Sequence, residues 1–291
     1  MVFIYIYINI IEQTMMLKNI MPATKKLCNI TMRNLLDDYL DFENNVLIFV
    51  DLETLGVNPT YECEQITEMA AWSIAGDTLE VVDKLNYKIN LLESTRMLLD
   101  DPNSVEREGW EYRQSRRGKH AISNPHDVLK MTKYNTIDAT PLDEQTALRN
   151  LSNFVSRYEN QVVVAHNIGF DMKFIMKRSA KYGYDFPCIK ALDTLTLSRY
   201  FLSPALEVLT EDVSVKKLAD ELYRETNQRR YISSRLGDLA KSFGINSDNW
   251  HTASADVEML LGVYDKMIRF FEEHSDTDIS HKQREIIFRN N

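Results

Sequence analysis

Two acids at the end of an apolar run are the first residues in this chain that could do chemistry. Asn45-Val46-Leu47-Ile48-Phe49-Val50 leads into Asp51-Leu52-Glu53-Thr54. Val, Ile and Phe favour strands, and a short continuous apolar run reads as a strand buried on both faces. Side chains alternate along a strand, so Asp51 and Glu53 point to the same face. Two like charges at the end of a buried strand are costly unless a cation lies between them. Hard divalent ions such as Mg²⁺ accept such carboxylates. Taken alone, the pair is equally what an exposed strand end with two solvated acids would show.

Two more acids invite comparison. Asp171 follows a second apolar run, Val162-Val163-Val164-Ala165, through His166-Asn167-Ile168-Gly169-Phe170, and opens a helical pattern. A helix start favours a carboxylate, so alone Asp171 reads first as a capping acid. Asp256 lies five residues after His251 in His251-Thr252-Ala253-Ser254-Ala255-Asp256, at the start of the last long helical pattern. A lone acid there is helix-start charge, and a lone histidine is more often a hydrogen-bonding group than a catalyst.

The elements that must carry these residues follow from periodicity. Gln65–Ala75 and Leu79–Ile89 are further strand candidates separated by Gly76-Asp77, which with the first strand suggests an antiparallel meander. Leu142–Tyr158 is an amphipathic helix, with Ala147, Leu148, Leu151, Phe154 and Val155 on one side. Strand 162–165 and the helix from Asp171 imply parallel pairing beside the meander. Leu236–Phe243 and Ala253–Phe271 read as the closing helices. Two segments interrupt the pattern, at about 92–140 and 203–234. The first holds Arg107, Arg113, Arg116, Arg117, Lys119 and His120, with Trp110 and Tyr112 interleaved. That mixture suits a surface that tracks a nucleic-acid backbone and stacks bases, and it also suits a solvated insertion with no partner. The expected organisation is an N-terminal extension (1–44) with a short helix, a main domain (45–272), and a polar, loose tail (273–291).

The motif order, with Asp-x-Glu at a strand end, Ala-His-Asn-x-x-Phe-Asp about 115 residues later and His-x-x-x-x-Asp near the end, resembles the DEDDh (DnaQ-like) branch of the DEDD 3'–5' exonucleases. Ile66–Ala71 (ITEMAA), Asp193-Thr194-Leu195, Leu236-Gly237-Asp238-Leu239 and Phe243-Gly244-Ile245 support the match, which covers roughly residues 45–272. The resemblance implies an α/β, ribonuclease H-like fold, with a mixed five-stranded sheet (antiparallel meander plus parallel strands) flanked by helices. It implies that Asp51, Glu53, Asp171 and Asp256 hold two Mg²⁺ or Mn²⁺ ions and that His251 is the general base. It implies that Thr54 and Leu55 touch the 3' end of the substrate, Thr54 through its backbone and Leu55 as a wedge against the last base. His166 and Asn167 are expected to brace the loop that presents Asp171, beside the substrate. Arg116 and Arg117 are expected to guide it. The expected reaction releases nucleoside 5'-monophosphates from single-stranded 3' ends, DNA favoured over RNA, as a free-standing enzyme or beside a polymerase in a replication or repair complex. An RNA exonuclease or oligoribonuclease is the alternative in the same class. A catalytically silent nucleic-acid-binding relative is the alternative outside it, and retention of all four acids and the histidine argues against that.

Composition bounds these readings. The 291 residues carry a net charge of −9, unlike the broad basic surface of a general nucleic-acid coater. Cys28, Cys63 and Cys188 show no metal-thiolate spacing, and free thiols fit a reducing cytoplasm. No run reaches the ~18 apolar residues of a membrane span. Val2–Ile11 is apolar but lacks the flanks of a signal peptide. The many Ile, Asn, Tyr and Lys residues are compatible with a viral protein in a host cytoplasm.

Overall fold

Strand β1 (Val46–Thr54) is the axis of the protein, hydrogen-bonded on both edges. The computed structural model describes Arg33 and residues 46–289, apart from 118–121, 123, 160, 188, 227–228 and 247–250. The expected N-terminal helix, Cys28, Cys188, Lys119 and His120 lie outside the described residues. β1 pairs antiparallel with β2 (Ile66–Ala75), which pairs antiparallel with β3 (Val81–Ile89). The insertion follows as α1 (Glu93–Asp100), α2 (Val105–Ser115), α3 (Pro125–Met131) and a 3₁₀ turn (Tyr134–Thr136). Next come β4 (Thr140–Leu142), α4 (Glu144–Ser156), β5 (Gln161–Ala165), α5 (Ile168–Lys181) and β6 (Lys190–Asp193). The chain continues through α6 (Thr194–Leu197), a π-helical turn (Ser198–Leu202), α7 (Ser203–Val208) and α8 (Val213–Leu222). It ends with the hairpin β7 (Tyr223–Thr226) and β8 (Arg229–Ile232), then α9 (Leu236–Ser242), α10 (Ala253–Glu273) and α11 (Ser280–Arg289).

The main sheet runs β4-β3-β2-β1-β5-β6, with β5 and β6 parallel to β1 and to each other. This is the expected meander with parallel strands and one addition. Thr140-Pro141-Leu142 makes a sixth strand, parallel to β3. Three residues with a proline give little strand signal, and proline is tolerated there because β4 lies at the sheet edge.

The alternation of β1 divides the interior in two. Leu47 and Phe49 face a core built with α10, where Phe49 meets Tyr264 edge-on at 5.4 Å between ring centroids. Ile48, Val50 and Leu52 face α4 and α5. Asp51 and Glu53 therefore continue the Leu47/Phe49 row and emerge on the α10 side. A third cluster forms where the insertion closes around Leu55: Leu98, Leu99, Trp110, Val128, Leu129 and Tyr134 pack with Leu55 and Cys63. The segment read as a loose polar tail includes α11; Ile279, just before it, and Gln283, within it, are buried, and Gln283 donates to the Tyr200 carbonyl at 2.9 Å. One buried contact per helical turn is too sparse to register as an amphipathic pattern.

Candidate active site

Each acid reaches the site on a different element. Register pairs Asp51 with Ala70 and Glu53 with Glu68 across β1 and β2, after which a bulge at Thr54 ends the ladder. The alanine opposite Asp51 leaves the carboxylate room. On the other edge β5 stops pairing at Phe49, so β1 outruns it and its later amides face no strand. Asp171 uses one: its Oδ1 accepts the Leu52 amide at 3.2 Å. Asp171 lies in the first turn of α5, which begins at Ile168, three residues earlier than the periodicity indicated. It therefore reaches across to the central strand and does not cap its own helix.

The loop before α5 is tied down from β6. Asn167 has a left-handed backbone (φ +70°). Asp193 Oδ1 accepts its amide at 2.7 Å and also the Leu195 amide at 3.2 Å, while Oδ2 accepts the Thr196 hydroxyl at 2.8 Å. The His166 ring bonds the Thr194 hydroxyl at 3.0 Å through Nδ1, and burial pushes its pKa down to about 4. His166 is half-buried in these contacts and Asn167 is exposed. Further along α5, buried Arg178 forks onto buried Glu144 of α4, which also accepts the Tyr182 hydroxyl at 2.7 Å and the Ile66 amide at 3.3 Å. One ion pair thus locks α4, α5 and β2 behind Asp171.

His251 and Asp256 arrive with α10. Thr252 caps the helix, its hydroxyl accepting the Ala255 amide at 3.4 Å. His251, just before the cap, has φ +71°, a left-handed conformation that a non-glycine residue holds at a cost. Glu53, His251 and Asp256 each place a potential ligand atom within 4.8 Å of the other two. Asp51 and Asp171 adjoin them: the carboxylates of Asp171, Glu53, Asp256 and Glu68 all raise the pKa of Asp51 after desolvation, which is the leading cause. Burial, then Asp256, Glu68 and Asp171, push Glu53 up to about 8. Burial pushes Asp171 up to about 8 and Asp256 up to about 7. Burial, and secondarily the Lys133 ammonium, hold the His251 imidazole below its ordinary value.

This donor set fits a hard divalent cation. Among the described residues Asp256 Oδ1 is buried with no hydrogen-bond partner, an arrangement that is costly without a positive charge to face. Carboxylate oxygens with one imidazole nearby are Mg²⁺- and Mn²⁺-type donors. Asp51, Glu53, Asp171 and Asp256 are the residues that would hold such ions.

The residues expected to meet substrate have varied surroundings. The Thr54 hydroxyl donates to the Gly56 carbonyl at 2.6 Å. Leu55 is 1% exposed, enclosed by the insertion. The turn after it is clasped by buried Glu64, whose Oε2 accepts the Val57 amide at 2.8 Å and the Asn58 amide at 3.0 Å. A Cβ at Gly56 would lie 2.1 Å from that oxygen, so only glycine fits. Arg113 bonds the other oxygen of Glu64 and lies over Tyr61, 3.7 Å from its ring centroid. Arg116 is exposed beside Tyr112, and Arg117 donates to Gln114 at 3.3 Å. The mixture of basic and aromatic residues in 92–140 thus has two parts. Trp110, 0% exposed, is insertion core and not a base-stacking surface, whereas Tyr112 and Arg116 remain open.

Sequence reasoning passed over Glu68, Asp193 in its anchoring role, and Lys133. The signal for Glu68 was an acid inside an otherwise apolar strand, Ile66-Thr67-Glu68-Met69-Ala70-Ala71. Lys133 carries no such mark. Its left-handed backbone (φ +53°) follows α3, and buried Tyr134 beside it packs in the Leu55 cluster.

An α/β protein with a mixed sheet and a carboxylate–histidine cluster at the C-terminal end of its central strand is thus defined by its own geometry. The chain is 26% identical over 167 residues, 55% of its length, to DNA polymerase III PolC-type of Oceanobacillus iheyensis. It is 25% identical over 236 residues, 80% of its length, to the Staphylococcus haemolyticus protein of the same name. It spans only 9% and 12% of those relatives. Among solved structures it is similar to Escherichia coli exonuclease I in complex with a dT13 oligonucleotide, with a TM-score of 0.49 and 16% identity over 79% of this chain and 43% of that one. No family model matches the chain.

Proposed function

We propose that this protein is a divalent-metal-dependent 3'–5' exonuclease that hydrolyses the terminal phosphodiester of DNA. One observation carries the reading: Glu53, His251 and Asp256 meet within 4.8 Å at the end of the strand that also bears Asp51. Bound Mg²⁺ or Mn²⁺ would supply Lewis acidity and charge neutralisation at the phosphate. The chain's own groups do the rest. His251, held below its ordinary pKa, favours the neutral imidazole at pH 7, the form that takes a proton from an attacking water. The water oxygen bonds to phosphorus, the bond to the 3' oxygen of the next nucleotide breaks, that oxygen takes up a proton from solvent to become a 3' hydroxyl, and a nucleoside 5'-monophosphate leaves. Asp171, fixed to the Leu52 amide, and Asp256, fixed by its helix, keep their carboxylates in register with β1.

Similarity to DNA polymerases supports DNA over RNA and a role beside a polymerase. Exposed Arg116 and the Tyr112 ring suit guidance of a single-stranded 3' end. Among the described residues no helix is long and apolar enough to cross a membrane. The test is digestion of 5'-labelled single-stranded DNA, duplex DNA and RNA with Mg²⁺, Mn²⁺ or EDTA, with Asp51→Ala as the blank. A 3'–5' ladder on DNA that needs the metal is expected. RNA cut faster than DNA, or cleavage surviving in EDTA, would overturn the assignment.

A further inference from the structure

Glu68 is nearly inaccessible, at 1% exposure, on β2 directly opposite Glu53. Its Oε2 does not face solvent or a basic side chain. It accepts the Ala253 amide, the first of α10, at 3.0 Å across 185 residues of sequence. The Ser254 amide adds to the stabilisation of its charged form. The first amides of a helix have no partner within the helix. Thr252 satisfies the Ala255 amide from within the segment, and Glu68 satisfies the Ala253 amide from the sheet.

We propose that Glu68 is a positioning residue, whose carboxylate clamps the start of α10 to β2 and so sets His251 and Asp256 against Glu53. His251 holds a left-handed backbone two residues before the clamped amide. Such conformations persist only where surrounding contacts over-determine them. The bond to Ala253 is a long-range contact that ties this turn to β2, directly opposite Glu53 of β1. Asp256 stands three residues beyond Ala253, about one helical turn, so a displaced helix start moves the imidazole and the carboxylate together. A misplacement of ~1 Å at such groups can cost about a hundredfold in rate.

This inference rests on the exonuclease reading for its kinetic arm only. Two substitutions separate its elements. Glu68→Gln keeps an oxygen acceptor and removes the charge. Glu68→Met keeps the volume and removes the acceptor. In the metal-free protein, hydrogen exchange across 251–256 should match wild type in the Gln variant. In the Met variant it should quicken about tenfold or more, as expected for one lost hydrogen bond to a charged acceptor. Mn²⁺ binding by calorimetry should follow the same split. On single-stranded DNA, kcat should stay within about threefold of wild type in the Gln variant and fall about a hundredfold in the Met variant, with KM little changed in both. The proposal is overturned if the Gln variant loses Mn²⁺ affinity as the Met variant does, because Glu68 would then be holding the cation. It is also overturned if the Met variant leaves exchange at 251–256 unchanged. A wild-type protein inactive on DNA would defeat the exonuclease reading, while the exchange and Mn²⁺ arms would still decide the role of Glu68.

Discussion

Asp256→Asn should stabilise the metal-free protein while abolishing the proposed activity, and the stabilisation should depend on pH. Asp256 is 7% exposed, and burial together with Glu68 raises its pKa from 3.8 to about 7. A carboxyl whose pKa is raised by folding binds its proton more tightly in the native state. Native stability therefore falls as pH rises from the unfolded value toward the folded one. By pH 8 the full penalty is present. A rise of this size corresponds to ~4 kcal/mol at most, and sharing of the charge among neighbouring carboxylates reduces it to about 2 kcal/mol. For a protein of this size that is a gain of about 4–8 °C in Tm for the Asn variant in EDTA at pH 8, shrinking towards zero near pH 4. Saturating Mg²⁺ should reverse the order, because the ion stabilises wild type by ~2.7 kcal/mol at a hundred times its Kd and the Asn variant by less. Thermal melts across pH 4–8, with and without Mg²⁺, read both effects. A pH-independent gain, or a loss at pH 8 in EDTA, would refute the claim that this carboxylate is held ionised against its neighbours.

Other perturbations test other parts of the structure. Arg178→Met leaves Glu144 buried without its partner and should cost about 3–5 kcal/mol of stability, read by urea melts; removing Glu144 as well, as Glu144→Gln, should recover much of it. Lys133→Met removes the ammonium that helps hold the His251 pKa down, so the imidazole should titrate higher and the acid limb of the rate profile should move to higher pH; no movement, or the opposite one, would count against proximity of Lys133 to the site. Arg116→Ala with Arg117→Ala should raise KM for long single strands and reduce the salt slope by about 1.4, while barely altering dinucleotide cleavage; an equal fall on both substrates would mark these arginines as structural.

How far the sequence led follows from physical range. The apolar run 46–50 is long enough to declare a buried strand, and the two-residue spacing of Asp51 and Glu53 puts them on one face whatever surrounds them. Both are local facts. The Glu53–Glu68 pairing depends on the register of two strands joined by a turn with its own internal bonds, and register is not a local property. The Glu68 bond to Ala253 spans 185 residues and leaves no periodic trace. The basic and aromatic residues of the insertion left two readings open for a related reason. Trp110 and Arg113 lie three apart on α2, yet Trp110 turns into the cluster around Leu55 and Arg113 turns onto Glu64, and a binding surface has the same composition as this brace. The insertion is therefore in part an extension of the packing around the end of β1.

That packing bears on how an acidic site can exist before any cation arrives. Burial first, and the repulsion of neighbouring like charges second, raise the pKa values of Asp51, Glu53, Asp171 and Asp256, so holding these acids together carries a cost. Each carrier is held by a bond outside the cluster or at its margin: α5 by the Arg178–Glu144 pair, its entry loop by Asp193, the start of α10 by Glu68, and the turn after Leu55 by Glu64. Each of these four anchors includes an acid that accepts a backbone amide, so part of its charge is spread over peptide dipoles. Glu68 is the exception in position. It anchors a helix with one oxygen and lies directly opposite Glu53. A scaffold that sets Glu53, His251 and Asp256 within 4.8 Å of one another leaves a cation as the group that would relieve the repulsion among the acids.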